Sequence, residues 1–534
     1  IAATLGVRRD EAAIPPLADL LPVENDAVSA AAAAALGRIG TYRAAKALLA
    51  YVPSVPEARR VAVGEALLAA AQTIGREGEA RHVATITKPL SGEGWPGHIR
   101  LGAFETQAIA TPALAHTALI KALGGDDAKL RDTAAALVAE LQKSKTSHYL
   151  RALPKLPAGG QAALLKALGM RGDPEAEGAL IASLESDTPE VREAAMQALG
   201  DLDTPGAIPV LAKLLAPAGT PESAMAREAL RVSRAKGADD ILSRQLLRSE
   251  GELKVQLLEL LTDRLASQAV VLGARVLENE QDPALRLAAW RAMAQLGGEK
   301  ELRVVLAALP EDAQGDESAA AAKALASVAA HHPDAALPLL VEALKGATPQ
   351  RMPVLMRTLP RIGTPGALEQ VLAALNNEDA AVQTEAIAAL EDWPSGDALP
   401  HLLALAQSED AARHERGLRG YVRIARTEQD PNKRGELLDA VMPLARKKEE
   451  KWAVLAAYGT VMHPRAFDAL QAQLGDAEVR NEAGAAITTV ARELGKKADF
   501  RARAVEALEA VIAHCDQQGV KDRAAQARDT LAAQ

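Results

Sequence analysis

One unit recurs along almost the whole chain: a polar turn, a helix opened by Pro or Asp, a short break, and a second helix. The clearest copy is DTPEVREAAMQALGDLDTPGAIPVLAKLL, from Asp187 to Leu215. Related copies begin at Gln281 (QDPALRLAAW), Ala347 (ATPQRMPVLM) and Glu378 (EDAAVQTEAI). Self-similarity at a period of roughly 30 residues means that each helix pair has an apolar face it cannot bury alone, so pairs must stack. The fold class that follows is all-α, a right-handed α-α superhelical solenoid of about fifteen helix pairs. It is expected to run from 1 to 534 as one array, with a truncated first pair and residues 497–534 as a more polar cap.

The periodicity inside a unit supports this. Val191, Ala194, Ala195, Ala198 and Leu199 fall on one helical stripe, while Glu190, Arg192, Glu193 and Gln197 face mostly away. The partner helix repeats the pattern with Ile208, Leu211, Leu214 and Leu215. Asp26, Asp187, Asp282 and Asp379 stand where a short acceptor side chain caps a helix start. Pro189, Pro283 and Pro349 fit the first helical turn. Gly40, Gly200, Gly297 and Gly363 are expected to close helices in a left-handed conformation. The least regular stretches, Ser91–Gly97 and the acidic run near Pro310–Ser318, are expected to be loops. IAATLG at the start reads as the tail of a helix whose beginning is missing.

Composition narrows the function. Residues are 49% hydrophobic but only 2% aromatic, so alanine and leucine supply the core and let helices approach closely. The net charge of −9 argues against a general nucleic-acid binder, which would carry a basic excess. No apolar run reaches the roughly 18–20 residues of a membrane helix. The single cysteine, Cys515, excludes an intrachain disulfide.

The units VREAAMQALGDLDTPGAIPVLAKLL and LRLAAWRAMAQLGGEKELRVVLAAL resemble bacterial HEAT repeats, including those described as phycobilisome-lyase HEAT-like. RGLRGYVRIAR and EEKWAVLAAYGTVMHPRAFDAL are more particularly similar to large HEAT proteins of planctomycete-type and verrucomicrobial bacteria. Those are often exported and joined to sugar-processing or cytochrome domains. The resemblance implies an exported scaffold in the periplasm or cell envelope, although neither such a domain nor a CxxCH haem motif stands in this sequence.

The strongest local anomaly is the segment from Asp410 to Arg426. At 100° per residue, Arg416, Arg419, Arg423 and Arg426 share an arc of about 80°. With Lys433, Arg434, Arg446, Lys447, Lys448 and Lys451 they leave residues 411–451 with about four surplus positive charges in an acidic chain. Such a row can grip carboxylates or phosphates, and Tyr421 and Trp452, with Tyr458, are assigned to the same partner- or anion-binding surface. The competing account is a solvated face ion-paired to Glu415, Glu428 and neighbouring units. Trp95, between Gly94 and Pro96, is the tryptophan expected to be exposed on a loop as a contact; Trp290, inside an apolar stripe, is expected in the core, and Trp393, before Pro394 at a unit boundary, as a packing plug. His331–His332 and His514–Cys515 lack further ligands at metal spacing, and the nucleophile, zincin, P-loop and dinucleotide motifs are absent. No cofactor or metal is implied.

The expected function is a non-catalytic scaffold or adaptor that binds a protein partner, acidic in the case of the arginine row, through its concave surface, within a larger assembly or homo-oligomer. A cell-envelope lattice element is the structural alternative. A bilin lyase or a HEAT-type DNA glycosylase is the catalytic one. A glycosylase would need a basic groove with exposed aromatics, which acidity and few aromatics oppose.

Overall fold

The computed structural model describes residues 1–311 and 315–533. Part of the acidic stretch expected to be a loop near Pro310–Ser318 lies outside them. The described residues form 33 α-helices joined by turns and short 3-10 segments, with no strand, an all-α solenoid. None of these helices is long and apolar enough to cross a membrane.

The chain divides into two compact units, Ile1–Arg264 and Leu265–Gln534. In the first, a layer of long helices stacks in chain order: Asp26–Ile39, Arg60–Arg76, Gly97–Ala110, Ala128–Glu140, Ala158–Arg171, Pro189–Leu202, Pro221–Val232 and Gly251–Asp263. A mostly shorter partner helix follows each of the first seven and forms the second layer. The second unit repeats the plan with long helices at Pro283–Leu296, Asp316–His331, Met352–Ile362, Ala380–Glu391, Ala411–Ala425, Lys448–Tyr458 and Arg480–Leu494.

The stripe read from sequence is the core. Val191, Ala194, Ala195, Ala198 and Leu199 are buried, as are Ile208, Leu211 and Leu215 on the partner helix. Trp290 and Trp393 are fully enclosed, as expected. Leu199 has no solvent-accessible surface, so Leu199→Ala should lower stability by about 2–4 kcal/mol through lost transfer energy and a residual cavity. A shift in the urea midpoint of the chain measures it.

Glycine does something other than what the repeat pattern suggested. Gly40 and Gly363 do end helices in the left-handed region, at φ 67° and 64°. Gly200, however, lies inside Pro189–Leu202, and Asp203 takes the left-handed cap at φ 49°. Asp203 tolerates it because its carboxylate accepts from Arg234 N at 2.8 Å and Ala235 N at 3.2 Å in the next turn. Gly297 closes its helix with extended backbone at φ −61°. The real demand for glycine is contact: a Cβ at Gly169 would lie 2.6 Å from the Ala198 backbone of the next long helix. Small residues let these helices touch backbone to backbone.

The caps also differ in detail. Asp282 and Asp379 accept from Leu285 N and Ala381 N as expected. At the first expected site Asn25 is the cap, because Asp26 is engaged by Arg59. Thr188, not Asp187, precedes Pro189 at the helix start and makes no side-chain cap bond. Pro189 and Pro283 open their helices, whereas Pro349 sits in the turn before Met352–Ile362, which carries Pro353 in its first turn instead.

Candidate functional site

The arginine-bearing segment is the helix Ala411–Ala425. Asp410 caps it, accepting from Arg413 N at 2.9 Å, and Arg426 is the C-terminal flanking residue. Leu418, Tyr421, Val422, Ile424 and Ala425 are buried along one side, which forces the arginines outward. Tyr421 was assigned to the binding surface, but at 3% exposed it belongs to the core. Burial pushes its phenol above the ordinary value.

The arginines are not equivalent. Arg419 Nε donates to Glu391 Oε1 at 2.5 Å and Arg416 Nη1 lies 3.6 Å from Glu391 Oε2, so one carboxylate at the end of Ala380–Glu391 serves both. Arg423 donates from Nε and Nη2 to the carbonyl of Glu391, at 3.2 and 2.7 Å, and from Nη2 to the carbonyl of Trp393 at 2.5 Å. Those carbonyls belong to a helix C-terminus, where backbone acceptors lack partners and the dipole favours a cation. Arg423 is therefore a clamp between adjacent long helices. Arg426 is exposed and its side chain has no partner among the described residues.

The basic run beyond is also largely engaged. Lys447 Nζ pairs with Glu415 at 3.0 Å, raising the lysine and lowering the carboxyl from their ordinary values. Lys451 Nζ pairs with Asp476 at 2.7 Å. Arg446 donates to Ser408 O and Arg434 to Glu428 O and Thr460 O. Lys448 Nζ stands 4.5 Å from the centre of the Trp452 ring, a cation–π contact. Trp452 is 36% exposed on the solvent side of Lys448–Tyr458, while Tyr458, grouped with it in the sequence, is buried and bonded to Asp439.

Between Ala411–Ala425 and Lys448–Tyr458 lies an open groove of about 770 Å³. Leu418, Val422, Ala453 and Ala456 line its apolar part; Arg419, Arg423, Arg426 and Lys447 face Glu415, Glu449 and Glu450 around it. Three residues of the row thus share a cavity, which sequence spacing alone did not reveal. Arg416 and Trp452 lie outside its lining.

The groove rests on a pair the sequence analysis missed. His414 and Glu450 are both buried, with His414 Nε2 3.2 Å from Glu450 Oε2 and Nδ1 2.5 Å from Ala406 O. The same Oε2 accepts from Arg446 N at 2.7 Å and Lys447 N at 2.9 Å, at the start of Lys448–Tyr458. Burial pushes the Glu450 carboxyl up, but the two N–H donors and His414 outweigh it and hold it below the ordinary value. A glutamate three residues into a helix was the available signal.

Trp95 is a correction. It was expected to be exposed, yet it is only 8% exposed because its ring packs onto Gly64 beside Ile99. A Cβ at Gly64 would sit 3.1 Å from the ring, so the missing side chain makes the seat for the indole. The loop that carries it is irregular as read, but folded inward.

Residues 157–231 match the family model for HEAT repeats. No curated protein matches the chain in sequence. Among solved structures, a Kap121p mutant is similar with a TM-score of 0.38 and 11% identity, over 97% of this chain and 69% of that one. Kap95p, in a structure describing its binding to RanGDP, gives a TM-score of 0.36 and 14% identity over 99% and 85%. Kap121p bound to RanGTP gives 0.38 and 16% over 84% and 56%.

Proposed function

We propose that the chain is a non-catalytic scaffold that binds a protein partner through its long-helix layer, which we take as the concave face. The observation that carries this is the groove between Ala411–Ala425 and Lys448–Tyr458, with its apolar lining and basic wall. Comparable grooves open between Asp316–His331 and Met352–Ile362, and between Arg60–Arg76 and Gly97–Ala110. A stacked layer that leaves a furrow between successive helices offers many modest contacts to an extended partner. Arg419, Arg426 and Trp452 supply the exposed part of the contact surface, with Arg416 half-buried beside them and Arg423 as its fixed base. An acidic partner suits this wall.

Capture of partners on the full chain at low and moderate salt tests the reading. Arg416→Glu/Arg419→Glu/Arg426→Glu should reduce recovery of a stoichiometric partner and flatten its salt dependence. Arg423 is left intact because its loss would open the helix contact itself. Recovery of the chain only as large homo-oligomers would favour the lattice alternative instead.

A further inference from the structure

We infer that the groove between Ala411–Ala425 and Lys448–Tyr458 takes a short linear peptide of a partner protein in which aliphatic side chains lead into one carboxylate, seated by Arg423 and Arg426. The inference rests on the scaffold reading and names the chemistry of its partner.

The groove has a polarity set by which cations are already neutralised. At the end near the start of both helices, Lys447 is paired with Glu415, and Arg419 is paired with Glu391. At the other end neither remaining arginine meets a carboxylate among the described residues. Arg423 spends Nε and Nη2 on backbone carbonyls, which anchor the guanidinium but cancel no unit charge, and its Nη1 makes no hydrogen bond among the described residues. Arg426, three residues on, has no side-chain partner among the described residues. An arginine whose plane is fixed before binding loses little rotamer freedom on meeting an anion, and a second one beside it adds a charge-assisted bond.

A bare inorganic anion would use only that end. Between the two ends the lining is Leu418, Val422, Ala453 and Ala456, which offer contact to aliphatic groups, and the carboxylates of Glu415, Glu449 and Glu450 lie away from the arginine end, where they disfavour an anion. From Glu415 to Arg426 the helix rises about 16 Å, the length of about five extended residues. Small side chains at 453 and 456 leave the width for a backbone to lie between the helices. The fit is therefore to a peptide with aliphatic residues and a terminal or side-chain carboxylate at the arginine end.

Selection of a randomised pentapeptide library on the full chain, followed by fluorescence anisotropy of the winning peptides, tests this. Enrichment of aliphatic residues followed by Asp, Glu or a free C-terminus is expected. Arg426→Gln should weaken the selected peptides about tenfold, the loss of one charge-assisted hydrogen bond. Ala456→Trp, on an exposed position, should block them while the circular dichroism and urea midpoint stay unchanged. Peptides that bind equally well to both variants would overturn the inference while leaving the scaffold reading in place, with another groove as the site. Enrichment of phosphorylated or acidic peptides lacking aliphatic residues would overturn it too. No enrichment, together with loss of partner capture in the charge-reversed protein, would retain the scaffold and reject a linear peptide as what it holds.

Discussion

Arg171→Ala is expected to lower stability by about 3–5 kcal/mol, although Arg171 forms no salt bridge among the described residues. The guanidinium is buried at the end of Ala158–Arg171 and reaches back to the turn that ends the preceding long helix. It donates to the carbonyls of Val138 at 2.7 Å, Leu141 at 3.0 Å and Gln142 at 3.2 Å, to that of Ser144, and to Thr146 Oγ1 at 3.0 Å. The charge is balanced by the negative end of a helix, by several carbonyl dipoles and, through Thr146, by the nearby carboxylate of Asp173. Removing it leaves a cluster of buried acceptors without donors, the costly side of the hydrogen-bond asymmetry. Arg171→Lys keeps the charge but offers one compact donor group for five acceptors, so it should recover only part of the loss. Urea unfolding gives the magnitude. Hydrogen exchange should place the loss between residues 128 and 202, because repeats couple to their nearest neighbours. A midpoint unchanged in Arg171→Ala would mean that water satisfies those carbonyls as well as arginine does.

Helix pairs, stripe residues and the core Trp290 were legible because burial repeats with the helical period, and the period repeats with the unit; Trp393 was legible as a plug at a unit boundary before Pro394. The joints were not. Arg171, Arg264 and Arg423 each lie in or just beyond the last turn of a long helix and grip carbonyls 27–34 residues earlier, about one unit back. In the sequence this looks like ordinary basic decoration of a last turn, since a carbonyl acceptor leaves no residue type to recognise. Gly200 misled for the converse reason. A helix-ending glycine and one pressed against Ala229 of the next helix are the same letter, and only the neighbour's position separates them.

The candidate site was legible in the same partial way. Arg416, Arg419, Arg423 and Arg426 were found by spacing, but their division into ion-paired, carbonyl-bound and free groups depends on Glu391 and Trp393 of the preceding unit. Trp95 and Tyr421 were assigned outward by residue type and flanking glycine or charge, whereas a bare Gly64 and an apolar stripe draw them in.

Glu450→Ala is expected to cost about 3 kcal/mol and to disorganise the groove. The carboxylate accepts two backbone bonds at one oxygen, from Arg446 N and Lys447 N, with His414 Nε2 3.2 Å from the same oxygen, while Oε1 is buried with no partner among the described residues. That orphan oxygen offsets part of what these contacts contribute, which places the loss at the lower end of the range of about 3–5 kcal/mol for breaking a buried pair. Deletion frees the start of Lys448–Tyr458 and strands the imidazole of His414 beneath Ala411–Ala425, the two helices that form the groove. Because the folded carboxyl lies below its ordinary value, its contribution is complete above the usual glutamate range of about pH 4 and is lost as pH falls through the folded value. Wild-type stability should therefore fall in acid more steeply than that of Glu450→Gln, whose amide keeps the shape and cannot titrate. Urea midpoints at neutral and acid pH measure both effects. Parallel pH profiles for the two proteins would assign the acid sensitivity to other carboxylates. Equal midpoints for wild type and Glu450→Ala at neutral pH would mean that the groove is held by packing alone.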